Sequence, residues 1–123
     1  MGELKLAAVE SAFADIVWEN APLTTTQLVE LCAQPPLNWK RTTTYTVLKK
    51  LCIRGLFSME NRLVTVLIPK DKFRALQSEQ FVTENFQGSL PAFVAAFTSQ
   101  KSLSKEEYDS LKALVESYGE NLK

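Results

Sequence analysis

The spacing of apolar residues changes period along the chain, and each change marks a new element. Between residues 7 and 20, Val9, Ala12, Phe13, Ile16 and Val17 recur at the i, i+3, i+4, i+7 spacing of a helix with one apolar face. Glu10, Asp15 and Glu19 fall mainly off that face. Trp18 flanks the stripe as a packing residue, and Asn20, Ala21 and Pro22 stop the helix. Thr24-Thr25-Thr26-Gln27 has the form of a capping box, which predicts a second helix through Leu28, Val29, Leu31 and Cys32. Pro35-Pro36 breaks the chain after it.

A third helix is predicted over residues 38–54, with Asn38 as N-cap and Gly55 placed for the C-cap. On a helical wheel Thr44, Val47, Leu48 and Leu51 cluster within about a quarter turn. Thr42, Thr46, Lys49 and Lys50 fall opposite, with Thr43 beside them. Residues 38–57 contain no carboxylate. A surface helix ordinarily mixes both charge signs. Hydroxyls and ammonium groups alone suit an anionic partner with readable edges, so this is a candidate DNA-recognition helix. Trp39, just before its first turn, reads as a packing anchor.

After Gly55 the period shortens to that of strands. Leu56-Phe57-Ser58 and residues 63–68 are short apolar runs, the second rich in β-branched residues, around Met59-Glu60-Asn61-Arg62, the signature of a hairpin with its turn at Asn61. Pro69 ends it. Three helices and a hairpin are the order of a winged helix-turn-helix, with Arg62 at the wing tip.

Helical spacing returns over residues 71–87, with a thin apolar face through Phe73, Leu76, Gln80 or Phe81, and Glu84, and Gly88 terminates it. Ser89 caps a short helix with Pro91 near its first turn and Phe93, Val94 and Phe97 on one side. Ser104-Lys105-Glu106-Glu107 is a second capping box, and Gly119 is placed to close the helix it starts. The fold class expected is mainly α with a small β-hairpin wing. Residues 1–70 form a winged helix-turn-helix domain and residues 71–123 a helical dimerisation domain. About fifty residues are few for a self-sufficient core. Two copies are expected to share one, through Phe81, Phe86, Phe93, Val94, Phe97, Tyr108, Leu111, Leu114, Val115 and Tyr118.

Composition narrows the chemistry. The 123 residues are 46% hydrophobic and 23% charged, which suits a folded globular chain. No apolar run reaches the ~18 residues of a membrane span. The N-terminus lacks a secretory pattern, and Leu6 stands where a myristoylation signal after Met1-Gly2 has Ser or Thr. A cytoplasmic location is expected. There is no histidine, no paired carboxylate in an apolar setting and no glycine-rich phosphate loop, so neither an enzyme, a cofactor nor a metal site is expected. Cys32 and Cys52 lie in apolar helical patterns and read as buried small hydrophobes.

Net charge is zero, but it is unevenly placed. Residues 38–62 hold six basic side chains and one acid, Glu60, for a local charge of +5, and the remainder carries −5. Such a chain can bind phosphate at one face and repel it elsewhere. Lys40, Arg41, Lys49, Lys50, Arg54 and Arg62 are the candidate phosphate contacts. Thr42, Thr43, Tyr45 and Thr46 are the candidates for base edges, with Tyr45 at the boundary of the face. The competing class is a winged helix that docks an acidic protein instead of DNA.

The pattern Trp39-x3-Thr43-x2-Thr46-x-Leu48-x-Lys50-Leu51-x3-Gly55 resembles the penicillinase-repressor family of bacterial transcription regulators. Glu10, the Ile16-Val17-Trp18 end of the first helix, Pro69 after the wing and the Gly88-Ser89-Leu90 turn extend the likeness over residues 6–118. The resemblance implies a homodimer that represses transcription from a palindromic double-stranded DNA operator. The family's recognition-helix contacts fall on Thr42, Thr43 and Thr46, the first of these being Lys in most antibiotic-responsive members. Those members are inactivated by a sensor protease at an Asn-Phe bond, and the matching bond here is Ala96-Phe97. Copper-responsive members carry a Cys-x-Cys pair near the C-terminus, whereas this chain has no cysteine after Cys52. Asn61-Arg62-Leu63-Val64 replaces the family's usual Gly-Arg-aromatic wing.

Overall fold

A computed structural model describes residues 4–120. The readings at Met1-Gly2 and the charge of Glu3 lie outside the described residues. The elements are α1 (Ala8–Asn20), β1 (Leu23–Thr24), α2 (Thr25–Cys32), α3 (Arg41–Ile53), β2 (Phe57–Glu60), β3 (Leu63–Val66), α4 (Lys70–Phe86), α5 (Leu90–Gln100) and α6 (Lys105–Gly119). The chain divides into two compact units inside α4, after Gln80. The end of the wing at Pro69 puts the boundary read from the sequence at residue 70. The difference arises because Phe73, early in α4, is buried in the first unit's core, and Gln77 donates to the Leu4 carbonyl at 2.8 Å.

In the first unit α1, α2 and α3 surround a core of Phe13, Ala14, Val17, Leu28, Cys32, Leu48 and Leu51, closed by Leu56, Phe57 and Val64 of the sheet region. Trp39 stacks on Phe13 with ring centroids 5.6 Å apart. Trp18 packs against Phe57 and Phe73, and its indole N–H donates to the Ile68 carbonyl at 3.0 Å. The partly buried indole therefore keeps a hydrogen-bond partner. The buried face of α1 consists of Glu10, Phe13, Ala14 and Val17. Val9, expected on the apolar stripe, is exposed, and Glu10, expected off it, is buried. The stripe is rotated by one position because Glu10 finds partners inside the fold, described below.

Thr24 caps α2 as expected. Its hydroxyl accepts from the Gln27 N–H at 3.1 Å, and the Gln27 side chain accepts from the Thr24 N–H at 2.8 Å. Thr24→Ala is expected to cost about 1 kcal/mol of stability, read as a shifted urea midpoint at unchanged m-value.

The sheet has three antiparallel strands in the order β1-β3-β2, with Leu23 opposite Val64 and Met59 opposite Val64 on the other side. The two-residue strand β1 has no signature of its own in the sequence, being too short for an alternation. Asn61 and Arg62 turn the hairpin, with φ of 52° and 62°. Positive φ at both positions is the geometry of a type I′ turn, whose twist matches that of the strands.

In the second unit Phe81, Phe86, Phe93 and Phe97 form a chain of ring contacts, with successive centroids 5.5 to 6.3 Å apart. Gly88 ends the last turn of α4 at φ 80°, donating its N–H to the Val82 carbonyl. Ser89 caps α5, and Ser104 with Glu107 forms the capping box of α6. Gly119 remains helical and Glu120 takes the cap position, one residue later than expected. No described residue of α5 or α6 is buried.

Candidate nucleic-acid interface

The helix expected over residues 38–54 begins at Arg41. Lys40 holds the cap position without a side-chain cap bond, and Asn38 sits at φ 51°, which makes it a turn residue and not the cap. The turn between α2 and α3 is fixed by backbone bonds: the Asn38 N–H donates to the Gln34 carbonyl and the Trp39 N–H to the Cys32 carbonyl. Trp39 stacking on Phe13 then sets where α3 starts.

The wheel prediction for α3 agrees with its burial. Thr44, Leu48 and Leu51 are buried and Val47 packs against the core. Thr42, Thr43, Thr46, Lys49 and Lys50 are exposed. Buried Thr44 donates its hydroxyl to the Lys40 carbonyl at 3.1 Å, so its polar atom is paired inside the helix. Thr46 does the same to the Thr42 carbonyl at 2.9 Å. Its proton is thereby occupied, and its lone pairs and methyl group face outward. The Arg41 guanidinium lies 5.2 Å from the centroid of the Tyr45 ring, which is half-buried. Tyr45 is thus a platform that orients Arg41 more than a free outward side chain.

The six basic candidates separate into two groups. Lys40, Arg41, Lys49 and Arg62 are exposed, and among the described residues no ion-pair partner faces them. Lys50 and Arg54 instead meet Glu10 of α1. The Lys50 ammonium is 2.7 Å from Glu10 Oε2, and Arg54 Nη1 is 3.8 Å from Glu10 Oε1. Arg54 also donates to the Lys5 carbonyl, and its side chain is only 14% exposed. The sequence offers both as phosphate contacts; α3 itself lacks a carboxylate, but α1 supplies one that meets them. The Lys50 side chain stays exposed while paired, whereas that of Arg54 is largely covered.

Glu10 also accepts from the Ala7 N–H at 2.9 Å. The Lys50 contact, then this backbone bond, hold its carboxyl below the ordinary 4.5, against the opposing effect of burial. A carboxyl depressed in the folded state stabilises above its unfolded pKa. That stability is lost as pH falls through the folded value. The stability gap between wild type and Glu10→Gln is therefore expected to be full at neutral pH and to close below about pH 4.5, measured by urea titration at stepped pH. Burial raises both thiols, Cys32 to about 11, so both are protonated at neutral pH.

Two residues of this surface escaped the sequence reading. Glu10 was assigned to the solvent side of α1. Ile53 is 78% exposed at the end of α3 and shares a shallow open depression of about 480 Å³ with Thr46, Lys49, Lys50 and Arg54. The spacing 46, 49, 50, 53 could have placed Ile53 on the outward face. Arg62 sits at the wing tip, where its carbonyl accepts from the Thr25 N–H at 2.9 Å and ties the wing to the start of α2.

In the second unit Phe81, Phe97, Tyr108, Leu114, Val115 and Tyr118 are exposed, and Phe86, Phe93, Val94 and Leu111 are half-buried. The Ala96–Phe97 bond lies inside α5. Among the described residues there is no cluster of groups able to hold a metal ion and no helix long and apolar enough to cross a membrane.

A helix-turn-helix with cations and hydroxyls on its second helix, followed by a tethered hairpin, defines a winged-helix protein of the DNA-binding class. Residues 6–117 match the penicillinase repressor family model, so the chain belongs to the penicillinase repressor family and is a DNA-binding transcriptional repressor. Among solved structures it is similar to the multiple antibiotic-resistance repressor (MarR) from Listeria monocytogenes. Identity is 15% and the TM-score 0.47, covering 94% of this chain and 74% of that one. A search of curated proteins found no match.

Proposed function

We propose that two copies of this chain bind a palindromic operator, each laying the N-terminal half of α3 in a major groove about one helical turn from the other. The observation that carries this reading is the division of α3 into a buried Thr44, Leu48, Leu51 face and an exposed Thr42, Thr43, Thr46, Lys49 face. Lys40, Arg41, Lys49 and Arg62 hold phosphates, which set position without reading sequence. Thr42, Thr43 and Thr46 face base edges. The Thr46 hydroxyl, already donating within the helix, accepts from an adenine or cytosine amino group, or its methyl group meets that of thymine.

The exposed apolar residues of α5 and α6 supply the homodimer contact, which gives the operator two linked half-site contacts. A signal relieves repression by weakening that dimer, since one half-site alone forfeits the avidity of two. A sensor protease acting at Ala96–Phe97 is one such signal. Because the bond is helical and proteases take extended substrates, α5 has to unwind locally first.

Thr46→Ala is expected to cut discrimination between the selected operator and random DNA by about 1–3 kcal/mol, measured by competition binding after in vitro selection of the operator. Unchanged discrimination would remove Thr46 from the reading set.

A further inference from the structure

We propose that Glu10 is a positioning residue that keeps Lys50 off the DNA backbone and so limits the sequence-independent affinity of this face; the inference rests on the DNA-binding reading above. Glu10 lies on α1, forty residues before Lys50, yet its carboxylate meets the end of α3. One oxygen takes the Lys50 ammonium at 2.7 Å, and the other accepts from the Ala7 N–H at 2.9 Å and faces Arg54. The carboxylate itself is only 11% exposed, so water screens it poorly. Moving Lys50 to a phosphate would take away the closest cation of that buried charge and leave it the Ala7 N–H and Arg54 at 3.8 Å, which is costly. Lys50 therefore stays on Glu10, although its own side chain is 58% exposed and lies beside Thr46 and Lys49 on the outward surface.

The anchoring extends further. Arg54 is bound to the Lys5 carbonyl, and Gln77 of α4 to the neighbouring Leu4 carbonyl. The last turn of α3 is thus strapped to the N-terminal segment. Its two cations face one buried anion, while Lys49, one residue from Lys50, has no ion-pair partner among the described residues. Counterion release, the source of non-specific affinity, is left to the unpaired cations.

The test is the salt dependence of binding to a random-sequence duplex, followed by fluorescence anisotropy. Glu10→Gln keeps the shape and an oxygen to accept from the Ala7 N–H, but removes the charge that holds Lys50. It is expected to tighten binding to the random duplex roughly five- to tenfold near ~0.1 M salt for each subunit, with a log–log slope steeper by about 0.9 per subunit. The double variant Glu10→Gln/Lys50→Gln is expected to return to the wild-type slope. Lys50→Gln alone is expected to keep that slope, an arm that does not depend on how well the Glu10 variant folds. Lys49→Gln, the reference, is expected to flatten it by about 0.9 per subunit. An unchanged slope in Glu10→Gln, or a flattened one in Lys50→Gln, overturns the proposal. If the wild type binds neither the random duplex nor any selected sequence, the DNA-binding reading itself fails.

Discussion

Phe13→Ala is expected to destabilise the first unit by about 3–5 kcal/mol, a large part of the roughly 5–15 kcal/mol that holds a small domain folded. Phe13 is fully buried at the junction of α1 with the start of α3, and its ring stacks on Trp39 at 5.6 Å. Removing it leaves a cavity under the residue that sets where α3 begins. Loss of stability and loss of DNA binding should therefore appear together. Urea unfolding followed by tryptophan fluorescence measures the first and anisotropy the second. Val9→Ala, four residues earlier and 54% exposed, is the contrast, with an expected change within about 0.5 kcal/mol. A Phe13→Ala loss as small as that of Val9→Ala would mean that the α1 stripe is placed wrongly.

Val115→Asp addresses the other unit. Val115 is 61% exposed and Leu114 beside it 65%, so a carboxylate there disturbs little within one copy of the chain. In the proposed dimer it would be buried without a partner, which an interface does not tolerate. The variant is expected to keep the wild-type helix content by circular dichroism and to sediment as a monomer. Its operator affinity is expected to fall by about 10²–10⁴, the avidity lost with the second half-site. A variant that remains dimeric with full operator affinity would place the dimer contact on another surface.

Much of the molecule was legible because its signals are local. The Thr24 and Ser104 capping boxes need residues only three apart, and both form as written. The face of α3 follows from the helical repeat alone, and Thr44, Leu48 and Leu51 are buried as the repeat requires. The start of α3 was less legible. Asn38 is a favourable cap residue by type, but the turn fixed by Asn38–Gln34 and Trp39–Cys32 backbone bonds delays the helix to Arg41. Strand β1 was invisible because two residues acquire strand geometry only when β3 lies beside them.

The candidate interface was legible in part. Position on α3 correctly marked Thr42, Thr43, Thr46 and Lys49 as outward. It could not mark which basic residues are already paired, since that depends on a carboxylate from another helix. Sequence charge counting treats Lys49 and Lys50 alike, whereas in the fold one is open and the other is held by Glu10.

By itself, then, the sequence determined the helical order, the caps, the hairpin turn and the outward face of α3, because each depends on residues within a few positions of one another. The tertiary structure alone decided that Glu10 turns inward, that Lys50 and Arg54 are held by it, and that α4 contributes Phe73 to the first unit's core. The physical reason is that a buried charge is tolerated only where the fold brings it an opposite charge. Here that partner comes from forty residues away.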